Sequence, residues 1–578
     1  MAEAPSNRVR SFEDSASNVV TTSKGAKAHA LLVNHMQHLQ RRLVTLRPGV
    51  WCLIGNGLSN QSFVEGPDGI IAIDTGECVE EMRSALKELR TVTTRPIVAV
   101  IYTHFHYVNG TKAIFEEVGH AVPIYAHSWV VANRLRVSDE IGPFYTRGLV
   151  EQFGVGLPSD GPDGLVHAGL GLALRFPQHA PFTPGFEAPT HTTLSPVTWK
   201  IAGLTVEVLP APSDSNDSLT VWFPELGVAA QNLVWPTLFN IFAIRGEEYR
   251  DPRGLLSGLD DLLRLNADFI VGTHGPEIQG RDTISSRVQR YRDSIQFLWD
   301  QTVRGMNKGW SADELASRVR LPALFDDDFI TSERYGVAEH HVRQIHNGLK
   351  GWFDGDPAKL FPLEPHERAK RLIAGFGGHA KVRAQATSAL DANDLRWAIE
   401  LAAWLVKAPA GNEPDSIADR NLLAAGLRRV GQRSPAANIR NWALTQARDL
   451  EGVASLERYR THRMRRDAVV ADPAHSLDVL RVLLDPARAQ GLNHHVRFDF
   501  GMGKPCGLHV RHAIACPTDG VGAQSTLKLT PASWADLMLG KETLATLLQT
   551  AQASVQGDPK AVTAVLAAFD FTPTSKSN

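Results

Sequence analysis

The sequence predicts an α/β fold of packed layers, and two observations near its beginning support this. Three short segments, VWCLIG, QSFVEG and IIAID, follow one another from Val50 to Asp74 with strand-like patterns. Helical spacing over residues 80–89 then leads to a continuous apolar run, IVAVIY, which is bounded by His104. Uninterrupted apolar runs are typical of strands that are covered on both faces. Helices packed on sheets account for this order of elements.

The elements that follow continue the same alternation. Residues 150–196 are rich in Gly, Pro and Asp and predict long loops, which commonly carry function on a scaffold. Strand patterns resume with LTVEVLP, VWFPE and LGVAAQN at residues 204–210, 221–225 and 226–232. GLLSGLDDLLRL predicts a helix over residues 254–265, and DFIVG predicts a strand that ends at His274.

The second half of the chain changes to helices from about Arg287. Residues 385–450 carry paired amphipathic segments, such as DLRWAIELAAWLVKA, and predict stacked helical hairpins, a surface that often self-associates. We expect strands to return near Leu477 and TLATLLQTAQASV to form an amphipathic helix. The polar residues 1–30 predict a loose or wrapping arm.

Length and composition limit the class of protein. A chain of 578 residues is too long for one hydrophobic core, which rarely grows beyond roughly 250–300 residues, so about three domains are expected. A formal net charge of −2 provides no basic field for nucleic acid, which leaves small or amphiphilic ligands as partners. The four cysteines have neither metal-finger spacing nor a disulfide pattern, so we expect buried or free thiols.

The N-terminal segment and the hydropathy pattern together predict a cytoplasmic protein. The segment MAEAPSNRVRSFEDSASNVV lacks the apolar stretch of a secretory signal, although a leader removed by processing is an alternative. No window approaches the roughly 18 uncharged apolar residues of a membrane span, so we expect no stable membrane insertion.

The sharpest chemical signal is THFHYVNG at residues 103–110. In an extended chain the side-chain period is two, so His104 and His106 would point to the same face. Two imidazoles converging at a strand end are an ordinary start for a zinc or iron site. Two unrelated loop histidines are the alternative, and the surrounding residues favour metal binding. The glycine that follows, Gly110, is expected to permit a tight turn into a helix.

Several longer segments resemble one known family. They are RPGVWCLIGNGLSNQSFVEGPDGIIAIDTGE, RPIVAVIYTHFHYVNG, GPDGLVHAGLG, FPELGVAAQN, IRGEEYRD and YGVAEHHVRQIHNGLKGWFDGDPAKLFPL. The C-terminal LKLTPASWADLMLGKETLATLL resembles a sterol-carrier-protein-2-like (SCP2-like) domain. The chain thus resembles the metallo-β-lactamase superfamily and, within it, the class III alkylsulfatases of the SDS-hydrolysing type.

The resemblance implies an α/β architecture of three domains and a homodimer. After an N-terminal arm at residues 1–40, it implies an αββα metallo-β-lactamase sandwich at 41–300 and an all-helical dimerisation domain at 301–450. A C-terminal SCP2-like α/β domain at 455–578 follows, and in this family it is thought to help with apolar substrates.

The family holds two metal ions with a His-x-His-x-Asp-His motif, two glutamates and one more histidine. Transferred by resemblance, the first two ligands are His104 and His106. The first glutamate position falls on Asp214, for which Asp217 in the same loop is an alternative, and the last histidine falls on His274. These four residues are therefore the candidate metal ligands.

The other family positions have lost their metal-binding groups. The aspartate position is Val108, the next histidine position is Asn109, and the bridging glutamate position is Gln231. One aligned carboxylate then remains, which suits one divalent ion held at the first site by two histidines and Asp214. Three protein ligands and an open position are typical of catalytic zinc, and the same ligands also suit iron. The sequence does not choose between them, and the family favours zinc. By the same resemblance, Asp74 supports the metal loop through hydrogen bonds.

Further residues are implied to contact the substrate. Arg245 aligns with the arginine that holds the sulfate group, and a guanidinium fork suits such an oxyanion. Arg250 is a second candidate, and pairing of Arg245 with a carboxylate such as Asp251 is the alternative. His340 aligns with the family's proton donor, and Tyr335 is expected in the same pocket.

The neighbours of these residues have less defined roles. His341, beside the proton donor, is expected to be structural. Trp235, Phe239 and Phe242 are expected either to line an apolar channel or to pack in the core.

The sequence supports three hypotheses for function. The first is a mononuclear metal-dependent hydrolase of a sulfate ester or related organic ester. The second is a repurposed lyase, isomerase or iron-dependent oxygenase, since the altered ligands all belong to the second site and its bridge. The third is a non-catalytic dimeric binding protein.

Overall fold

The computed structural model describes residues 11–462 and 464–571. The first ten residues of the expected arm, residue 463 and the last seven residues of the expected C-terminal domain lie outside this range. The chain divides into two compact units. One runs to Arg134 and resumes from Arg147 to Leu456, and the other combines Leu135–Thr146 with the chain from Glu457 onwards.

The first unit contains a seven-stranded sheet. Its first four strands pair antiparallel, and the remaining neighbours pair parallel. The strands in spatial order are Arg42–Arg47, Val50–Ile54, Gln61–Gly66, Gly69–Ile73, Ile97–Ile101, Ile124–His127 and His191–Thr193.

A second sheet of six strands packs face to face with the first. Its strands in spatial order are Val197–Ile201, Leu204–Pro210, Leu219–Phe223, Val228–Gln231, Phe269–Gly272 and Ile278–Gln279. Val64, Ile71 and Ile101 of the first sheet share a buried cluster with Val221 and Val228 of the second. The core of this unit therefore lies between two sheets, as in the predicted sandwich.

Helices cover the outer faces of both sheets. Val79–Leu89 and Thr111–Val118 contact the first sheet, and Pro252–Arg264 and Arg281–Asn307 lie on the second. Side chains alternate between the two faces of the strand Val228–Gln231, because Ala230 faces the inter-sheet cluster and Ala229 faces the helices. Both faces are buried, and the predicted αββα arrangement is confirmed.

The helix expected over residues 254–265 begins two residues earlier for a local reason. Asp251 caps it, because its side chain accepts a hydrogen bond from the backbone N–H of Arg253, and Pro252 occupies the first helical position.

The part of the first unit that follows the second sheet is mainly helical. The predicted boundary at residue 300 falls inside one helix, Arg281–Asn307. The helices that follow are Ala312–Arg318, Ala338–Lys350, Pro357–Leu360, Pro365–Gly375, His379–Asp391, Leu395–Lys407, Glu413–Arg433 and Ala437–Leu450. The last four pack in sequence as antiparallel hairpins, as the amphipathic pattern predicts.

The beginning of the chain and the long connection are mostly irregular. The described part of the arm contains a two-stranded ribbon, Val19–Thr21 with Lys27–His29, and the helix Ala30–His35. After the helices Val130–Leu135 and Gly142–Phe153, the chain forms only the 3₁₀ turn Pro177–His179 before His191. No helix within the described ranges has the length and hydropathy to cross a membrane.

The second unit is a separate α/β layer. Its strands in spatial order are Ile514–Thr518, Cys506–Arg511, Asn493–Asp499, Ser525–Leu529 and Ala553–Gln556. Its helices are Arg466–Ala471, Ser476–Val479, Pro531–Met538, Leu544–Gln549 and Pro559–Ala567, and their apolar faces cover the sheet.

Two local predictions in this unit are wrong. The apolar run at Leu477 forms a helix and not a strand, because Leu477 and Leu480 are three residues apart and bury the same helical face. The segment TLATLLQTAQASV is helical only to Gln549, because Ala551 takes a left-handed φ of 58° and Ala553–Gln556 then joins the sheet.

Candidate metal centre

The candidate site lies where strands of the two sheets end. His104 follows the strand Ile97–Ile101, and Asp74 directly follows Gly69–Ile73. In the second sheet, Asn232 and His274 follow two neighbouring parallel strands. Because strand ends bring side chains of distant sequence together, this edge collects polar residues from four segments.

His104, His106 and Asp214 converge, and their ligand atoms all lie within 4.8 Å of one another. Asp214 Oδ2 is 3.0 Å from His106 Nδ1 and 3.6 Å from His104 Nε2. The convergence does not arise from a continuous extended chain, as the His-x-His spacing suggested. His104 is extended, whereas His106 lies in a 3₁₀ turn, Phe105–Tyr107, and the two rings meet edge to face.

Hydrogen bonds establish which nitrogen of His104 is open. Thr103 Oγ1 donates its proton to Asp74 Oδ2 at 2.7 Å, so His104 Nδ1 is the donor in its 2.9 Å bond to the same hydroxyl. The lone pair of His104 therefore lies on Nε2, a buried atom without a hydrogen-bond partner among the described residues. Burial lowers the pKa of His104 to about 3, which keeps the ring neutral.

Asp214 supplies the negative charge of this group. Burial opposes its ionisation, but the adjacent His104 and His106 hold its pKa well below the usual range. Its second oxygen, Oδ1, accepts a 2.6 Å hydrogen bond from Asn232 Nδ2. Asp217, the alternative ligand, instead accepts a hydrogen bond from Ser215. The geometry thus assigns the carboxylate position to Asp214.

His274 lies at the same edge but outside this group of three. Its Nδ1 donates to the backbone oxygen of Leu58 at 2.8 Å, because a carbonyl can only accept. The other nitrogen, Nε2, is buried without a hydrogen-bond partner among the described residues, and burial lowers the pKa of the ring to about 4.

The two imidazoles and the carboxylate fit a divalent ion. The open lone pair on the buried Nε2 of His104 is costly unless something binds it. His104 Nε2, His106 Nδ1 and Asp214 Oδ2 form the two-histidine, one-carboxylate set that zinc and iron accept.

The altered second-site positions have structural roles. Gln231 Oε1 accepts hydrogen bonds from the backbone N–H groups of Leu233 and Val234 at 2.6 and 2.7 Å. Asn109 Oδ1 accepts a 3.1 Å hydrogen bond from Arg134. Val108 is fully buried. None of these three side chains therefore has a buried ligand atom that lacks a hydrogen-bond partner in the described part of the chain, as His104 has in its Nε2.

The ring of Tyr107 lies beside two histidines of the candidate site. Its ring centroid lies 5.3 Å from the ring of His104 and 5.3 Å from that of His274, edge to face in both cases. A buried phenol thus contacts the histidines of both halves of the site.

Asp74 forms hydrogen bonds to the loop that carries His104 and His106. Its carboxylate accepts hydrogen bonds from the backbone N–H and the hydroxyl of Thr103 at 2.8 and 2.7 Å. It does so from a left-handed backbone, φ 57°, which aspartate tolerates better than most residues. Burial raises its pKa to about 7. Gly110 also contributes to this loop, since a Cβ there would lie 2.0 Å from the backbone oxygen of Thr75.

Arg245 is buried beside the ligand group and pairs with Glu247, not with Asp251. Its Nη1 lies 2.7 Å from Glu247 Oε2, and the same oxygen is 3.6 Å from His106 Nε2. Asp251 instead pairs with Arg253.

Arg250 donates to the backbone oxygens of Asp214 and Asn240, so in this structure it braces the ligand loop. Its guanidinium also lies over the ring of Trp235.

His340 lies on the wall of a cavity of about 700 Å³. Phe242 and Ile244, from the loop that leads to Arg245, share this wall, and the rings of Phe242 and His340 meet edge to face. Further apolar side chains of the lining are Phe12, Leu427, Val430, Ile439 and Trp442. Burial lowers the pKa of His340 despite the adjacent Glu339.

The other residues expected in the pocket are buried. Tyr335 accepts a 2.7 Å hydrogen bond from Gln152, which also accepts one from the backbone N–H of Arg245. His341 Nδ1 accepts a hydrogen bond from the backbone of Phe242. Trp235 and Phe239 are core residues at most 2 % exposed, so of the three aromatic candidates Phe242 is the one on the cavity wall.

Sequence reasoning did not identify Glu247 or Asn232 as parts of the site. Glu247 lies two residues after Arg245, and Asn232 follows Gln231 directly. Their proximity to positions implied by the resemblance could have identified them. The loop conformation that directs their side chains into the site is not visible in the sequence.

Comparisons with known proteins agree with this architecture. Family models described as alkyl sulfatase dimerisation and alkyl sulfatase C-terminal match residues 311–452 and 468–575. A linear primary-alkylsulfatase of a Pseudomonas species is 34 % identical over 530 residues, covering 88 % of this chain and 98 % of that protein. An alkyl/aryl-sulfatase of Saccharomyces cerevisiae is 26 % identical, covering 91 % and 82 %.

A solved structure of a sec-alkylsulfatase from a Pseudomonas species has the same fold. Its TM-score is 0.83 at 24 % identity, with 97 % of this chain and 89 % of that chain covered.

Proposed function

The chain belongs to the alkylsulfatase family, hydrolases of metallo-β-lactamase fold, and we propose that it hydrolyses an alkyl sulfate ester with one divalent metal ion, zinc. The observation that carries this proposal is the buried convergence of His104 Nε2, His106 Nδ1 and Asp214 Oδ2 beside the guanidinium of Arg245. The relatives named above are alkylsulfatases, which supports the choice of substrate class.

The metal would be held by His104, His106 and Asp214. Zinc bound by three protein ligands lowers the pKa of a coordinated water to about 7 and so supplies a nucleophile near neutral pH. Asp74 and Thr103 orient His104, and Asn232 orients Asp214.

Arg245 is proposed to hold the sulfate group. Its guanidinium is a planar fork of N–H donors, and this geometry suits a tetrahedral anion. Two buried guanidinium groups, Arg245 and Arg250, face two buried carboxylates, Asp214 and Glu247. The added charge of a divalent ion favours an anionic substrate.

The alkyl chain is proposed to occupy the cavity beside Phe242 and Ile244. A volume of about 700 Å³ lies within the range of small-molecule sites, and the lining is mainly apolar. Because these residues directly precede Arg245, one loop would contact both ends of an amphiphilic ester.

His340 is the proposed proton donor on the cavity wall, and its importance depends on which bond breaks. Cleavage between sulfur and oxygen expels a strongly basic alkoxide, for which a general acid contributes about 10²–10⁴-fold. Cleavage between carbon and oxygen expels sulfate, a weak base that needs no proton. Hydrolysis in ¹⁸O-labelled water distinguishes the two: label in the alcohol indicates carbon–oxygen cleavage, and the His340→Gln variant should then retain activity.

The test is metal content and turnover on the same preparations. We expect close to one zinc per chain by mass spectrometry, and release of sulfate from octyl, decyl and dodecyl sulfate. His106→Ala should lose both properties. Zinc-loaded protein that cleaves none of these esters would contradict the proposed substrate class. Iron in place of zinc would direct the assay to oxygen chemistry, since the same ligands suit non-haem iron.

We also propose a homodimer formed through the helical region. The match to a dimerisation family model supports it. So does an exposed apolar segment that includes Trp352, 70 % exposed, and Phe361, 88 % exposed. Light scattering should give twice the chain mass, and Trp352→Ser with Phe361→Ser should reduce it to one. The cytoplasmic location stays a prediction.

A further inference from the structure

Glu247 is a buried carboxylate that the proposed reaction does not use. Its side chain is 5 % exposed, although its neighbour Glu248 is exposed. Its Oε2 lies 2.7 Å from Arg245 Nη1, so the carboxylate is one member of a buried ion pair. A buried charge is costly unless nearby groups compensate for it, which points to a role for this one.

The position of Glu247 relative to His106 indicates that role. The imidazole has two nitrogens, and Nδ1 faces Asp214 within the ligand group. The opposite nitrogen, Nε2, faces Glu247 Oε2 at 3.6 Å. Metal-bound histidines usually donate their second N–H to a carboxylate or carbonyl, which fixes the ring orientation and the proton on that nitrogen.

The other histidines of the site have equivalent partners. His104 Nδ1 contacts Thr103 Oγ1, which in turn donates to Asp74. His274 Nδ1 donates to the backbone oxygen of Leu58. For His106 the corresponding group is Glu247, and Arg245 holds that carboxylate in place at 2.7 Å.

We propose that Glu247 is a positioning residue for the metal centre, which directs His106 Nδ1 towards the ion from behind the ring. This inference rests on the proposed metal site but not on the identity of the substrate. It gives Arg245 a second task, since the guanidinium expected to hold the sulfate group also anchors the carboxylate behind a metal ligand.

The test is zinc affinity measured by competition with a chromophoric chelator. Glu247→Gln keeps the size of the side chain and removes its charge, so zinc should bind about 10- to 100-fold more weakly. Glu247→Asp keeps the charge and should lose less affinity. Glu248→Gln, the same change on the adjacent exposed residue, should bind zinc as the unaltered protein does. Cobalt(II) in place of zinc should show an altered visible absorption spectrum in Glu247→Gln only.

A second variant separates positioning from folding. Glu247→Gln leaves Arg245 buried without its carboxylate, which can prevent folding. Arg245→Met combined with Glu247→Gln removes both charges, and it should fold while still binding zinc more weakly. Unchanged zinc affinity and cobalt spectrum in the folded variants would overturn the role of Glu247. Absence of zinc binding by the unaltered protein would overturn the metal centre itself, whereas zinc binding without sulfatase activity would contradict only the proposed substrate.

Discussion

The two halves of the metal cleft differ in how their side chains are used. In the first half, His104, His106 and Asp214 converge, and the open nitrogen of His104 is buried without a partner among the described residues. In the second half, Gln231 and Asn109 use their polar atoms in hydrogen bonds to the protein. The first half has three converging side chains that can bind a metal, whereas in the second half His274 alone of the aligned positions has a buried nitrogen without a hydrogen-bond partner among the described residues.

Local hydrogen bonds explain how the polar side chains of the second half are accommodated in the core. A buried polar group left without a partner costs about 1–3 kcal/mol. Gln231 avoids that cost by bonding to the two backbone N–H groups that follow it, and Val108 avoids it by being apolar. Tyr107 contacts His104 and His274 and fills space between the two halves.

The largest expected effect comes from removing a ligand of the first half. Asp214→Asn keeps the shape of the side chain but removes the only carboxylate of the ligand group, so zinc should be lost. Sulfate release should then fall on the order of a thousandfold or more, because the ion contributes several kcal/mol to such reactions. Metal analysis and sulfate release on the purified variant measure both. One zinc per chain in Asp214→Asn would place the ligand group elsewhere.

The next effect concerns Asp74, which supports the first half through Thr103. Burial raises its pKa from 3.8 to about 7, so the unfolded chain releases this proton at lower pH than the folded protein. The stabilising contribution is complete below about pH 4 and is lost as the pH rises to about 7. Asp74→Asn does not titrate. In metal-free protein, the variant should therefore gain up to roughly 4 kcal/mol relative to the unaltered protein across this interval.

Urea unfolding at a series of pH values measures this difference, and the other carboxylates cancel because both proteins contain them. A constant difference between the two proteins from pH 4 to pH 7 would contradict a raised pKa for Asp74.

Much of the fold was predictable because it depends on local patterns. Buried strands such as Ile97–Ile101 show as apolar runs, and the sandwich with its following helical region agrees with the resemblance. The prediction was wrong where a short apolar run is compatible with both a strand and a helix. Leu477 fits a strand or one turn of helix equally well, and packing against the sheet of its unit decides for the helix.

The site was predictable only where a motif marks it. The departure of Val108 and Gln231 from the ligand types that the family resemblance implies is visible in the sequence. The hydrogen-bond partners of these residues are not visible in the sequence, because they depend on the conformation of the loops. Glu247 faces His106 across 141 positions of sequence, and no periodicity connects the two residues.

A smaller effect is expected from His274, the histidine of the second half. His274→Ala removes a buried hydrogen bond to the backbone oxygen of Leu58 and should lower the free energy of unfolding by about 1–3 kcal/mol. Zinc content should stay near one per chain, because the ligand group of the first half does not include this residue. Metal analysis alongside thermal unfolding tests both parts, and loss of zinc would show that the two halves form one site.

The smallest effect on zinc content is expected from restoring the bridging carboxylate with Gln231→Glu. The new Oε1 can still accept hydrogen bonds from the N–H groups of Leu233 and Val234, and its charge strengthens them. The new Oε2 replaces an amide that donates to the backbone oxygen of Val234, so a buried negative charge then faces a carbonyl oxygen and the protein should lose about 1–3 kcal/mol of stability or more. Zinc titration should still end near one ion per chain, because Asn109 and Val108 are unchanged. An end point at two ions would mean that the second half is one substitution away from binding metal, and that its present hydrogen bonds do not prevent it.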